Sequence, residues 1–174
     1  VLLKERSVSN CDKHYLTNLD SGKGKKNMKK IRLAIIGTGL AWERLHWPAV
    51  SELKDHYEVV ALCNRTKGDA EQFAATIGLD NSNVYDDYTV MLQRDDIDAV
   101  VVLVPIEKNF EAAAAVIKAG KNLIAEKPLA GTMEGAKELL AIHRSHPTLV
   151  MVAENYRYND ENNIIKDLVD HGRI

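Results

Sequence analysis

From residue 31 onward, apolar positions fall into short unbroken runs that alternate with stretches in which they recur every three or four residues. The first kind of spacing predicts strands and the second predicts helices. Strands are expected over 31–36, 57–63, 84–85, 99–104, 123–125 and 149–153. Six apolar residues in a row at 99–104, without alternation, describe a strand covered on both faces and central in a parallel sheet. Helices are expected over 40–53, 67–77, 88–93, 109–119, from 132 onward, and over 159–171. Pro48 predicts a kink or break in the first of these near Trp47. Gly78 stands where a left-handed cap is wanted, and Gly120 ends the fourth helix. Thr132 suits an N-cap, with Ala136, Leu139 and Leu140 as the inner face behind it. The last helix carries Ile164, Ile165, Leu168 and Val169 as an apolar stripe with nothing after it to pack on.

Strands alternating with helices across short loops predict βαβ units with right-handed crossovers, hence an α/β fold with a doubly wound parallel sheet. Ligands of such sheets sit at the carboxyl ends of the strands, near the switch point. That rule singles out five loops: 37–41, 64–66, 105–109, 126–128 and 155–157.

The first loop follows a strand that stops on Gly37-Thr38-Gly39 and passes straight into a helix. Its leading N–H groups are unpaired and no side chain blocks an anion, which outlines a phosphate site. The dinucleotide fingerprint asks for a third small residue where this chain has Trp42, so the helix is expected to start farther from the strand.

At the second loop, Asn64-Arg65-Thr66 offers no carboxylate for a ribose 2′-hydroxyl. The Arg65 guanidinium suits a 2′-phosphate, which favours NADP over NAD; a surface arginine in a polar turn is the other reading. Glu126-Lys127-Pro128 puts an ammonium at the same edge, suited to orienting a substrate hydroxyl or carbonyl while hydride moves, with Glu126 tempering it or holding the ribose. A solvated charged pair capping a strand is the plainer alternative. Asn155, Tyr156 and Arg157 offer donors and an aromatic face to the same cleft.

Composition narrows the classes. At 174 residues, 45% hydrophobic and 28% charged, the chain suits one domain, or one plus a fragment of a second, and no run is long enough to span a membrane. The net charge of −2 hides an asymmetry. Residues 1–30 hold eight Lys/Arg against three acids, leaving fifteen against twenty-two, so the folded part has no basic excess for nucleic acid. Residues 1–28 lack apolar periodicity and predict a disordered tail: an extension ahead of a start at Met28, or a basic arm for an anionic partner. Cys11 and Cys63 lie in different contexts, and the six histidines show no metal-ligand spacing. Reduced thiols, a cytoplasmic protein and no metal site follow. The chain also lacks a Gly-x-Ser-x-Gly elbow and a Walker lysine, which argues against hydrolase and triphosphatase chemistry.

Taken together, IIGTGLAWERLHWPAV, VVALCNRT, VYDDYTVMLQRDDIDAVVVLVP, AAAAVIKAGKNLIAEKPLAGT and VAENYRYND, in this order over residues 30–174, resemble the Gfo/Idh/MocA group of NAD(P)-dependent oxidoreductases. The resemblance implies a Rossmann domain, here 29–153, followed by a larger α/β domain with the substrate pocket and commonly a subunit interface, of which 154–174 would be the beginning. It further implies that Gly37, Thr38, Gly39, Leu40 and Ala41 hold the pyrophosphate. Asn64 and Arg65 would meet the adenosine ribose or its phosphate, Pro105 and Asn109 would line the path from adenine to nicotinamide, and Glu126 and Lys127 would sit by the nicotinamide. Asn109 stands where many members have His.

The expected function is the cofactor-binding part of an oxidoreductase that moves hydride between NADP (or NAD) and a sugar, polyol or related hydroxyl or carbonyl compound, with Lys127 as the catalytic residue. A dinucleotide-binding sensor or scaffold without turnover is the alternative. Homo-oligomerisation would run through the second domain. The Asp and His that family members carry there are not assignable, so these 174 residues are expected to be inactive by themselves.

Overall fold

The computed structural model describes residues 29–174. The expectations for the tail, including Cys11, lie outside them. Six strands form one parallel sheet: β1 (Ile31–Ile36), β2 (Tyr57–Cys63), β3 (Val84–Tyr85), β4 (Ala99–Val102), β5 (Asn122–Ala125) and β6 (Val150–Val152). Their spatial order is β3-β2-β1-β4-β5-β6. The chain builds outward from β1 on one side, returns to β4 and builds outward on the other. The switch point therefore lies between β1 and β4, which pair from Leu33 with Ala99 to Ile36 with Val102.

Helices cover both faces, and successive strand residues serve opposite layers. On one face Ala34, Ile36, Val100 and Val102 pack with Ala113 and Ile117 of α4 (Ile106–Lys118) and Leu139 of α5 (Met133–Arg144). On the other, Leu33, Ile35 and Val101 pack with Trp42 and with Ala70, Phe73 and Ala74 of α2 (Lys67–Ile77). Every residue of β4 is buried, as an unbroken apolar run requires.

The first helix breaks where Pro48 predicts. Helix begins at Leu40, widens into a π turn over Trp42–His46, and resumes as α1 (Trp47–Glu52); the Trp47 amide bonds five residues back to the Trp42 carbonyl. Gly78 caps α2 at φ 71°, and the Thr132 side chain accepts from the Gly135 amide at 3.1 Å to start α5. The short helix α3 (Tyr88–Met91) closes two residues earlier than expected. Asn159 caps the last helix, α6 (Asp160–Asp170), by accepting from the Glu161 and Asn162 amides, and Ile164, Ile165 and Val169 on it are exposed.

Three expectations are corrected. Residues 103–104 leave the sheet instead of extending β4, and α4 starts at Ile106, because Pro105 holds φ at −52° and suits the position just before a helix. Asn109 consequently lies inside α4, one turn in, and not at the junction of loop and helix. Leu140 faces outward, and the inner face of α5 falls on Leu139 with partly buried Ile142. Trp42 does not push the helix away from Gly39. Its indole turns into the core, fully buried, 5.7 Å from the Phe73 ring and 5.9 Å from Trp47.

Candidate active site

All six strands end at one edge, so the loops after β1, β2, β4, β5 and β6 share a rim. The loop after β1 is tied down at its first residue: the Gly37 amide donates to the Cys63 carbonyl at 2.8 Å. The two glycines do different work. Gly37 sits at φ 99°, and a Cβ there would collide with the Leu103 carbonyl, so the fold itself demands glycine. A Cβ on Gly39 would meet nothing within 4 Å. No contact among the described residues requires glycine at position 39, and the missing side chain leaves a backbone cradle at the start of a helix whose first N–H groups lack intrahelical acceptors. The Thr38 hydroxyl, buried in the same loop, has no hydrogen-bond partner among the described residues. An open cradle and an orphaned hydroxyl fit a phosphate group.

Clefts flank this loop on both sides. One, of about 570 Å³, lies toward β2 and is lined by Thr38, Gly39, Leu40, Asn64 and, from α2, Asp69 and Gln72. The other, of about 700 Å³, lies toward β5 and β6 and is lined by Ala41, His46, Glu126, Lys127, Asn155 and Tyr156. The loop forms a saddle between two cavities on opposite sides of the switch point.

In the second cleft the Glu126 carboxylate is fully engaged. Its Oε1 lies 2.8 Å from His46 Nε2, and its Oε2 accepts from the Lys127 amide at 3.0 Å. The expected contact between Glu126 and the Lys127 ammonium is absent among the described residues. Lys127 is exposed, and its ammonium has no hydrogen-bond or ion-pair partner there. Lys127 is joined to Pro128 by a cis peptide bond. Asn109 lies behind this segment, 1% exposed, its Nδ2 donating to the carbonyls of Glu126 at 3.1 Å and Pro128 at 2.8 Å.

The structure thus brings Thr38, Gly39, Leu40 and Asn64 to one cavity and Ala41, Glu126, Lys127 and Asn155 to the other. Arg65, Pro105 and Arg157 are exposed and line neither; Asn109 is buried beneath the second. Sequence reasoning missed Asp69, whose carboxylate lies 3.5 Å from Asn64 Nδ2, and His46. A carboxylate in the first turn of α2 was a usable signal for Asp69. His46 gave none, because its partner is 80 residues away.

Burial pushes the Cys63 thiol up to about 12, so it stays protonated and unreactive at neutral pH. No group of three or more His, Cys, Asp or Glu suited to a metal occurs among the described residues, and no helix there is long and apolar enough to cross a membrane.

Residues 31–154 match the model of an oxidoreductase family with an NAD-binding Rossmann fold. An uncharacterised protein of Saccharomyces cerevisiae is 35% identical over 131 residues, which is 75% of this chain and 38% of that one. The dTDP-3,4-didehydro-2,6-dideoxy-alpha-D-glucose 3-reductase of Actinomadura kijaniata is 32% identical over 85% of this chain and 43% of its own length. The crystal structure of KijD10, a 3-ketoreductase from Actinomadura kijaniata in complex with TDP-benzene and NADP, superimposes with a TM-score of 0.74 at 30% identity, covering 84% of this chain and 45% of that one. The chain therefore spans less than half the length of these relatives.

Proposed function

The chain belongs to the Gfo/Idh/MocA oxidoreductase family with its NAD-binding Rossmann fold, and from that premise we propose that it binds NADP across the 37–41 loop as the cofactor domain of a sugar or polyol oxidoreductase. One observation carries the reading: the 37–41 loop, with empty side-chain space at Gly39, is flanked by two cavities, one reaching Gly39 and the other Ala41, over the switch point of the sheet. The pyrophosphate rests on the amides of residues 39–41, with the Thr38 hydroxyl as a further donor. Adenosine lies in the cavity toward β2, its ribose hydroxyls within reach of Asn64 and Asp69, and Arg65 turns in from the surface to pair with the 2′-phosphate. The nicotinamide lies in the cavity toward β5. When bound, the cofactor supplies or accepts hydride at a substrate carbon. The free Lys127 ammonium, next to Asn155 and Tyr156, orients the substrate oxygen and stabilises the charge that develops on it.

KijD10, a 3-ketoreductase crystallised with NADP, supports the cofactor and substrate class by analogy. A reduced, buried Cys63 accords with work in the cytoplasm.

Titration with NADP and NAD tests the reading. NADP is expected to bind more tightly, and Arg65→Ala to cut that preference about tenfold, the worth of a charged hydrogen bond. Equal affinities for the two cofactors would remove Arg65 from recognition. No binding of either would defeat the proposal.

A further inference from the structure

Asn109 holds the backbone on either side of Lys127. Its two amide hydrogens go to the carbonyls of Glu126 and Pro128, the residues that bracket Lys127, at 3.1 and 2.8 Å. The orientation of the amide is forced, because a flipped side chain would set its oxygen against two carbonyl oxygens. On the far side the same segment is fixed by the Glu126 carboxylate, held between His46 Nε2 and the Lys127 amide. The Glu126 amide donates to the Val102 carbonyl at 3.1 Å. The backbone is thus pinned, while the Lys127 ammonium has no partner among the described residues.

A second observation shows that Asn109 is not tuned for stability. Its Oδ1 is buried with no donor among the described residues, and an unsatisfied buried acceptor costs free energy. An apolar residue of similar size avoids that cost but loses both contacts to the segment.

We propose that Asn109 is a positioning residue: it lines no part of the cofactor path, and from beneath the site it sets where Lys127 presents its ammonium. The inference rests on the cofactor reading above and replaces the role that the family resemblance implies for this residue.

The test uses Asn109→Asp and Asn109→Leu, with two ligands and one ligand-free measurement. NADP spans both cavities, whereas 2′,5′-ADP reaches only the one toward β2. Because Glu126 and Lys127 line the cavity assigned to the nicotinamide, displacing their backbone is expected to lower NADP affinity about fivefold in both variants, with 2′,5′-ADP affinity unchanged. Hydrogen exchange of the Glu126 and Lys127 amides, bonded to the Val102 carbonyl and the Glu126 carboxylate, is expected to quicken in the absence of ligand, while the amides of β1 and β4 keep their protection. At lower pH the Asp variant regains NADP affinity relative to wild type, because a protonated carboxyl donates again and a buried carboxyl protonates readily. Taking the ratio to wild type at each pH cancels titration of His46, Glu126 and Asp69. The Leu variant shows no such recovery.

Unchanged exchange at Lys127 in both variants overturns the proposal, as does equal weakening of both ligands. Should Asn109→Leu fail to fold, the pH response of Asn109→Asp decides alone. If wild type does not bind NADP, the cofactor reading fails, and the ligand-free exchange at Lys127 still decides the clamp.

Discussion

The two edges of the sheet differ in how they use their hydrogen-bonding capacity. At the edge where strands begin, Arg32 meets the Asp98 carboxylate through its amide and a forked guanidinium contact at 2.7–2.9 Å. Asn122 extends this network, donating to the Asp98 carbonyl and accepting from the Leu149 amide, both at 2.9 Å. Groups at the starts of β1, β4, β5 and β6 close on one another. At the edge where strands end, the Thr38 hydroxyl and Asn109 Oδ1 lack partners among the described residues, Gly39 faces open space, and the Lys127 ammonium is free. The first edge is closed by contacts within the protein apart from the buried Thr148 hydroxyl, which lacks a partner among the described residues; the second, on the reading proposed above, is kept open for a ligand. Orphaned groups that line a cleft point to a ligand that supplies the missing partners, unlike the equally unpartnered Trp42 Nε1, which lies in the core.

That contrast breaks most severely at Gly37, which belongs to both roles. Gly37→Ala forces a side chain into the Leu103 carbonyl at a left-handed φ, and is expected to cost about 3 kcal/mol or more while also abolishing cofactor binding. Urea unfolding and a cofactor titration on the same sample check both effects. Asn122→Ala removes one half-buried and one exposed hydrogen bond at the opposite edge and is expected to cost about 1.5 kcal/mol with NADP affinity unchanged. A loss of affinity there would show that the edges are coupled.

Acid gives a smaller effect. The Arg32 guanidinium beside Asp98 holds its carboxyl well below the usual carboxylate range. A depressed value in the folded state means the unfolded chain takes up the proton first. The stabilisation is therefore complete above the ordinary carboxylate pKa near 4 and is lost as pH falls below it. Urea midpoints at pH 7, 4 and 3 are expected to fall less steeply in Asp98→Asn than in wild type. Parallel curves would mean that the pair adds nothing in solution.

Much of this arrangement was legible in the sequence because it is local. Apolar runs and helical spacing located all six strands, and Gly78 and Thr132 cap the helices they were expected to cap. What the sequence concealed depends on contacts between distant segments. Trp42 looked like an obstacle beside Gly39, since nothing local shows that the π turn and the Phe73 ring make room for its indole. Asn109 looked like the junction of a loop and a helix because the apolar stripe begins at Phe110, although the helix had already opened after Pro105. The engagement of Glu126 by His46 follows only once β1 and β5 are placed on either side of β4.

Gly39→Val tests the central claim most directly. Its Cβ enters space that no protein atom occupies, and glycine is not needed there for its backbone angles, so thermal stability is expected to stay level or rise slightly. The same branched side chain fills the cradle proposed for the pyrophosphate. Calorimetric titration with NADP is expected to show binding to wild type and none to Gly39→Val at equal melting temperature. Equal affinity in the two proteins would contradict the account and move the cofactor off the 37–41 loop.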